Sequence, residues 1–259
     1  MNRLLNTVLE IVARSGDIVR EHWTLPRRVR HKGRIDLVTE TDTAVEAFLK
    51  EALRDVIPGA TFMAEESAEF CAEPDGDCWI IDPVDGTTNF VHGIPQVGTS
   101  VALWRDGRVE LGVVNMPVLG ECFHARRGAG AWSGAQRLHV SEVAILRDAV
   151  VGTGFPYDVP PNLRTIQGWL GAVLPEVQNV RRLGAAAVDL AYVACGRLDG
   201  FYELGLKPWD FAAGWLLVEE AGGRVSSISG APLRFGDVLL ASNGHIHQAL
   251  RDTLAAGNT

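Results

Sequence analysis

The chain has 259 residues, 47% of them hydrophobic, which is enough to bury a large core in one sizeable domain or in two closely packed halves. Its 24 basic and 32 acidic side chains give a net charge of −8, and this disfavours a protein that binds nucleic-acid backbones through clustered Lys and Arg. No apolar run in the sequence is long enough to span a bilayer, so we expect a cytoplasmic protein with no membrane partner.

The N-terminal third is predicted to begin with two amphipathic helices. Apolar residues recur at helical spacing at Leu5, Leu9 and Val12, and again along a stretch that starts at Thr43. Thr43 and Glu46 have the spacing of a capping box, so Asp42 is expected at or just before the start of the second helix.

Strands are predicted to follow these helices. The segment WIIDPVDGTTNF, residues 79–90, reads as a buried strand that runs into a turn. Two further apolar runs flank RDGR, where Asp106-Gly107 indicates a tight hairpin. Two short strands are expected after this hairpin, so the first half is predicted to be helices packed on an antiparallel meander.

Beyond about residue 140, predicted helices and strands alternate, which gives this half α/β character. The segment WDFAAGWLLVEEAGG is predicted to be a helix capped at its start by Asp210 and closed by Gly222-Gly223. We therefore predict an N-terminal sub-structure over residues 1–140 and a C-terminal one over 141–259, sharing one continuous core.

The four cysteines, Cys71, Cys78, Cys122 and Cys195, have neither C-x-x-C nor metal-site spacing. Free thiols in a reducing compartment are the simpler interpretation, with a Cys71–Cys78 disulfide as the alternative. His245 and His247 lie too close in sequence to share a helical face, so both are predicted to be exposed polar residues.

Asp82 and Asp85 are the first candidates for a functional site, because both carboxylates can reach one point beyond the end of a buried strand. Two unpaired anions so placed would repel each other, and a bound cation removes the conflict. Oxygen ligands of this kind suit Mg²⁺. The alternative is a turn in which the two carboxylates only cap backbone amides.

Further residues favour phosphoryl chemistry. Glu65 and Glu66 lie on a predicted loop before the motif, and Asp210 lies at a predicted helix start. Gly86-Thr87-Thr88 are small residues whose amides can begin a helical turn and hold a phosphate group.

These motifs resemble those of the inositol monophosphatase family, a group of metal-dependent, lithium-sensitive sugar phosphatases. The resemblance rests on DLVTETD, EES, WIIDPVDGTTNF and KPWDFAAG in this order, and it covers nearly the whole chain. The segment GFYELGLKPWDFAAG is most similar to the bacterial inositol-1-monophosphatase branch. The family fold implies an α/β protein of mixed α+β and α/β character, arranged as a layered αβαβα sandwich.

The resemblance also implies residue roles. Glu65, Asp82 and the Val84 carbonyl would hold the activating metal ion, Asp82, Asp85 and Asp210 a second ion, and Glu65 a weaker third. Two to three Mg²⁺ per site would offset the roughly six negative charges of four carboxylates and a phosphate dianion. Glu65, Thr87 and Asp42 would be catalytic, with Asp42 and Thr87 orienting the attacking water. The implied substrate contacts are Asp85, Gly86, Thr87, Ala186, Glu203 and Asp210.

The implied reaction is hydrolysis of myo-inositol monophosphate by in-line attack of a metal-activated water, in a homodimeric enzyme. The alternatives are the same chemistry on histidinol phosphate, 3′-phosphoadenosine 5′-phosphate or fructose 1,6-bisphosphate, and a catalytically silent regulatory or binding protein. Glu203 also has an alternative role, as a strand-end residue paired with Lys207.

Overall fold

The computed structural model of the chain describes residues 3–26, 29–31, 33, 36–68 and 72–257. Its helices are α1 Arg3–Trp23, α2 Glu40–Arg54, α3 Thr87–His92, α4 Val159–Val173, α5 Ala186–Ala194, α6 Pro208–Glu220 and α7 His247–Ala256. Its strands are β1 Val29–His31, β2 Leu37–Thr39, β3 Thr61–Ala64, β4 Cys78–Asp85, β5 Gly98–Arg105, β6 Arg108–Met116, β7 Glu121–Arg126, β8 Ala131–Ser133, β9 Gln136–Arg137, β10 Val150–Thr153, β11 Asn179–Arg181, β12 Gly200–Glu203, β13 Arg224–Ser227 and β14 Leu239–Ser242.

The first large sheet has seven strands in the order β3-β4-β5-β6-β7-β8-β9. All neighbours are antiparallel except β3 and β4, so the predicted meander is confirmed over β4 to β9. The tight hairpin between β5 and β6 is also confirmed. Its two central residues, Asp106 and Gly107, both have positive φ (51° and 74°), as the right-handed twist of the flanking strands favours.

The second large sheet has five strands in the order β11-β10-β12-β14-β13. β10 runs parallel to both of its neighbours, while β14 is antiparallel to β12 and β13. The predicted alternation of helices and strands thus produces a mixed sheet, because α4 and α5 return the chain for parallel pairing whereas the last strands pair antiparallel.

Helices and sheets stack in five layers. α1 and α2 bury an apolar core against one face of the first sheet, and α5 and α6 pack between the two sheets. α4 and α7 cover the outer face of the second sheet. The predicted αβαβα sandwich of the α/β class is therefore confirmed.

The starts of α2 and α6 differ from the predictions by about one turn. α2 begins at Glu40 with Thr39 as its N-cap, and α6 begins at Pro208 with Lys207 as its N-cap. Asp42 and Asp210 are each the third helical residue, and each accepts a hydrogen bond from the backbone N–H of its N-cap residue. Both carboxylates consequently lie inside the first turn and point back over the helix start.

The prediction that His247 is exposed is wrong. Only 1% of its surface is accessible, and its ring nitrogens lie 2.9 Å from the hydroxyls of Ser226 and Ser242. A buried imidazole needs partners for both nitrogens, and these two serines supply them. His245 is exposed as predicted.

Cys78, Cys122 and Cys195 are free thiols, as the simpler interpretation predicts, so Cys78 does not form the alternative disulfide, and Cys71 itself lies outside the described residues. Among the helices of the described ranges, none combines the length and the apolar character needed to cross a bilayer. The first large sheet ends at Arg137 and the second begins at Val150, on either side of the predicted boundary near residue 140. The division into two sub-structures stays a prediction.

Candidate active site

A cavity of about 490 Å³ opens where β4, β12 and the starts of α3, α5 and α6 meet. All predicted site residues except Asp42 line it. These residues are Glu65, Asp82, Val84, Asp85, Gly86, Thr87, Ala186, Glu203 and Asp210. Asp42 is completely buried and reaches the cavity wall only through Thr87.

An irregularity in β4 brings Asp82 and Asp85 to the same cavity. Residues three apart in a regular strand point to opposite faces of the sheet. The pairing of β4 with β5 shifts register between Asp82 and Asp85, and such a bulge re-aims the side chains beyond it. Pro83 lies at this bulge, and its carbonyl accepts a hydrogen bond of 2.9 Å from the Thr99 hydroxyl.

Asp85 caps the N-terminus of α5. Its Oδ1 accepts from the N–H of Ala186 at 3.1 Å, and its Oδ2 accepts from Ala187 at 2.8 Å and Val188 at 3.3 Å. These are the first amides of the helix, which have no partner inside it. Burial raises the pKa of Asp85 to about 7 although the hydrogen bonds oppose this shift, and the nearby Glu65 charge adds to it.

Asp82 caps a backbone amide in a turn, which is the alternative to a metal site. Its Oδ1 accepts a 3.0 Å hydrogen bond from the N–H of Val84. That bond occupies one oxygen of a carboxyl group that is only 2% exposed. Burial, followed by the charges of Glu65, Asp85, Asp210 and Asp42, raises the pKa of Asp82 well above its usual range. A capping role alone leaves this concentration of negative charge without compensation.

Thr87 and Asp42 form a hydrogen-bonded pair beside these acids. The single hydroxyl proton of Thr87 lies within reach of Asp42 Oδ1 at 3.0 Å and of the Val84 carbonyl at 3.1 Å. The other oxygen of Asp42 accepts from both the N–H and the hydroxyl of Thr39. Burial raises the pKa of Asp42, and these hydrogen bonds oppose the shift. The hydroxyl of Thr87 keeps lone pairs for a further donor.

Asp210 completes the acidic wall from the second half of the chain. Its Oδ2 accepts a 2.6 Å hydrogen bond from the backbone N–H of Lys207. Burial raises the pKa of Asp210 to about 7, with the Lys207 amide opposing the shift and the charge of Asp85 adding to it. Glu65 follows β3, and its backbone N–H donates to the carbonyl of Ile81 in β4 at 3.1 Å, which holds it beside Asp82.

Glu203 and Ala186 lie on the cavity wall at the end of β12 and the start of α5. Glu203 is buried, and a Cβ atom at Gly154 would lie only 2.0 Å from its Oε2, so a side chain at position 154 would displace this carboxyl group. Burial and the charge of Asp210 raise the pKa of Glu203 to about 8. Lys207 is exposed, and the described residues contain no ion pair between it and Glu203.

The donor set of the cavity fits Mg²⁺. Seven carboxylic side chains line it against two basic ones, Arg182 and Lys207, so a phosphate ester would be repelled unless cations were present. Within the described ranges, no group of three or more His, Cys, Asp or Glu side chains is arranged to hold a metal ion. Mg²⁺ does not need such a group, because it is usually held by one or two carboxylates together with water and substrate phosphate.

Sequence reasoning missed four residues with ionisable side chains on the cavity wall. They are Asp36, Tyr157, Arg182 and Asp189. Asp189 carried a detectable signal, because it is the one charged residue of α5, whose other residues are Ala, Val, Leu and Tyr. Arg182 and Tyr157 come from connecting segments with no motif of their own.

Comparisons with known proteins agree with the geometry. The sequence model described as "Inositol monophosphatase family" matches residues 1–257. The chain is 41% identical over 232 residues to the Nus factor SuhB of Escherichia coli strain K12, covering 89% of this chain and 87% of that protein. It is 40% identical over 255 residues to the inositol-1-monophosphatase of Rhizobium meliloti, covering 97% and 96%. The crystal structure of extragenic suppressor protein suhB from Bartonella henselae superposes with a TM-score of 0.92 at 38% identity, covering 98% of each chain. The chain therefore belongs to the inositol monophosphatase family, and this membership supports a phosphatase.

Proposed function

We propose that the protein is a Mg²⁺-dependent phosphomonoesterase that hydrolyses myo-inositol monophosphate to inositol and phosphate. The observation that carries the proposal is the meeting of Glu65, Asp82, Asp85 and Asp210 in one cavity beside the Thr87–Asp42 hydrogen bond. Buried acids with raised pKa values mark functional sites when they line a cleft. The inositol-1-monophosphatase name of the Rhizobium meliloti relative supports the choice of substrate.

Four acids and one carbonyl would hold two to three Mg²⁺ ions. Glu65, Asp82 and the Val84 carbonyl would bind one ion, Asp82, Asp85 and Asp210 a second, and Glu65 a weaker third. The hydrogen bonds of Asp82 and Asp85 to backbone amides hold both carboxylates in place before a cation binds. When bound, Mg²⁺ would lower the pKa of water and offset the charge of the phosphate.

The Thr87–Asp42 pair would handle the proton of the attacking water. Water donates to the Thr87 Oγ1, and the Thr87 hydroxyl donates to Asp42 Oδ1, 3.0 Å away. Because burial raises the pKa of Asp42, this carboxylate is a stronger base than an exposed aspartate. Thr39 holds the other oxygen of Asp42, so the base cannot rotate away from Thr87.

The substrate would lie between the acidic wall and Glu203. The backbone amides of Gly86 and Thr87, at the start of α3, would hold the phosphate group, while Asp85, Ala186, Glu203 and Asp210 would contact the rest of the ester. A cation beside Asp210 would offset the negative charge that raises the pKa of Glu203, which leaves Glu203 able to accept from alcohol hydroxyls. We also propose a homodimer and inhibition by lithium, on the strength of family membership.

A phosphate-release screen tests this proposal. The purified protein with saturating MgCl₂ is assayed on inositol 1-phosphate, histidinol phosphate, 3′-phosphoadenosine 5′-phosphate and fructose 1,6-bisphosphate. We expect the highest kcat/KM on inositol 1-phosphate and no turnover when EDTA replaces Mg²⁺. Preference for another of these esters would reassign the substrate while keeping the chemistry. No release from any of them would favour a catalytically silent protein.

A further inference from the structure

The proposed function assigns no role to Asp189, a carboxyl group on the wall of the same cavity. It lies within α5, and only 1% of its surface is exposed. Its Oδ1 is buried without a hydrogen-bond partner among the described residues. A buried oxygen without a partner is destabilising, so a carboxyl group kept there needs a compensating interaction.

Two glycines make room for Asp189 and Glu203 side by side. Gly152 in β10 pairs with Phe201 in β12, and Gly154 follows two residues later on the same side of the chain. A Cβ at Gly152 would lie 2.8 Å from the Oδ1 of Asp189, and a Cβ at Gly154 would lie 2.0 Å from the Oε2 of Glu203. The two carboxyl groups thus occupy adjacent spaces near the C-terminal ends of the neighbouring parallel strands β10 and β12.

These two carboxyl groups cannot both be ionised without mutual repulsion. Burial, next the charge of Glu203 and then the charge of Asp85 raise the pKa of Asp189 well above its usual range, whereas Arg182 opposes the shift. Asp189 takes part in no ion pair within the described part of the chain. The pair therefore holds one proton between its two members, and the carboxyl group that carries this proton can donate a hydrogen bond.

We propose that Asp189 is a positioning residue for substrate specificity: it shares one proton with Glu203 through one bridging water and so holds Glu203 toward the alcohol part of the ester. This inference rests on the proposed function, in which Glu203 accepts from the substrate hydroxyls. Asp189 acts on the affinity for a polyol, because it lies beside Glu203 and is not among the acids assigned to Mg²⁺.

Two substitutions separate hydrogen bonding from packing. Asp189→Leu removes the donor at similar volume, whereas Asp189→Asn keeps an N–H donor in its place. With saturating Mg²⁺, Asp189→Leu should raise the KM for inositol 1-phosphate roughly tenfold with little change in kcat, as the loss of one hydrogen bond predicts. The KM of Asp189→Asn for inositol 1-phosphate should stay within about twofold of the wild-type value. In a Glu203→Gln background, Asp189→Leu should add little, because the two residues act as one unit.

Two comparisons exclude a merely structural role. p-Nitrophenyl phosphate has no alcohol hydroxyls, so its KM should respond far less to Asp189→Leu than the KM for inositol 1-phosphate. Asp199 is a matched buried carboxylate outside the cavity, where it accepts from Ser141 and from the N–H of Val150. Asp199→Asn should lower the unfolding midpoint and leave the KM for inositol 1-phosphate unchanged.

The assignment is overturned if the Leu and Asn variants raise this KM equally, if both esters lose affinity equally, or if Asp189→Leu leaves KM unchanged. Should Asp189→Leu fail to fold, the pH dependence of the KM for inositol 1-phosphate, compared between Asp189→Asn and the wild type, tests the proposal. The wild-type KM for inositol 1-phosphate should rise on the alkaline side, where the Asp189–Glu203 pair loses its shared proton, and that rise should be absent in Asp189→Asn. The same alkaline rise in both proteins contradicts the proposal. If the wild type hydrolyses neither ester, the proposed function fails first and this assignment with it.

Discussion

The hydroxyl of Thr87 links the buried Asp42 to the cavity, and this contact gives the sharpest prediction for a single residue. Thr87→Val keeps the shape of the side chain but removes the proton relay, so kcat should fall by roughly 10²–10⁴. Thr87→Ser keeps the hydroxyl and should retain most of the activity. Steady-state phosphate release at saturating Mg²⁺ measures the kcat of both variants. Equal kcat values for Thr87→Val and the wild type would exclude a role in water activation.

Asp42 combines a structural role with the proposed catalytic one. Asp42→Asn should lower kcat and also cost about 1 kcal/mol in the free energy of unfolding, because Asp42 accepts hydrogen bonds at the start of α2. Thr39→Ala is the matched control: it weakens the same cap and should cost similar stability with a much smaller loss of kcat. Combining Asp42→Asn with Thr87→Val should give a less than additive loss, since both act on one water. Fully additive losses would place the two residues in different steps.

The acidic part of the candidate site could be predicted from the residues themselves, Val84, Ala186 and Glu203 came only from the family resemblance, and other residues of the cavity wall could not be predicted. Asp82, Asp85 and Asp210 stand out because carboxylates are unusual at the ends of apolar segments. Arg182 and Tyr157 escaped detection because only the tertiary arrangement brings their loops to the cavity. Asp189 was visible as a charge in an apolar helix, but its proximity to Glu203 depends on Gly152 and Gly154 in another strand.

At the scale of elements, the turn from β4 into α3 depends on glycine. Gly86 and Gly93 flank α3 and both have positive φ (87° and 71°), but only Gly86 is crowded. A Cβ at Gly86 would lie 2.9 Å from the carbonyl oxygen of Gln96 and 3.1 Å from the Cβ of Ala185. Gly86→Ala should therefore lower the free energy of unfolding by about 2–4 kcal/mol, and it should also displace Thr87 and reduce kcat. Gly93→Ala should lower the free energy of unfolding by about 1–2 kcal/mol and leave kcat unchanged. Chemical denaturation and kinetics on both variants check this, and equal behaviour would contradict it.

The junction of β13, β14 and α7 should make stability depend on pH through His247. Burial, together with Arg224 and Arg251, lowers the pKa of His247 from 6.5 to about 4. The unfolded chain thus binds more protons in this range, so the contribution is fully present above pH 6.5 and is lost as the pH falls toward 4. It amounts to about 3 kcal/mol. Urea unfolding between pH 7 and 4.5 should show a shallower pH dependence for His247→Gln than for the wild type. Parallel curves would refute the assignment.

Element types were easier to predict than element ends. The hairpin at Asp106-Gly107 and the helix closing at Gly222 follow from local turn chemistry, because these residues adopt the positive φ that the turns require. The helix starts were missed because Thr39 and Lys207, one turn earlier than predicted, provide the N-cap positions. His247 was misjudged for a different reason: the serines that satisfy its ring come from β13 and β14, which no local pattern reveals.

At the scale of the whole molecule, the layer of α5 and α6 joins the two sheets into one core. Phe211 of α6 belongs to the same apolar cluster as Val114 of the first sheet and Phe201 of the second. We therefore predict that the two sub-structures unfold together, in a single transition seen alike by circular dichroism and tryptophan fluorescence. Phe211→Ala should lower the free energy of unfolding by about 3–5 kcal/mol and keep one transition. Two separated transitions would show independently folding halves.

The central claim is that the acidic cavity works by binding Mg²⁺, and a metal titration of catalysis tests it most directly. Phosphate release from inositol 1-phosphate is measured against MgCl₂ concentration for the wild type, for Asp82→Asn and for the matched surface variant Asp106→Asn. We predict saturable activation of the wild type and of Asp106→Asn. For Asp82→Asn we predict a loss of at least roughly 10²-fold in kcat at any Mg²⁺ concentration. Wild-type turnover by Asp82→Asn, or undiminished turnover of the wild type after removal of divalent ions, would contradict the account.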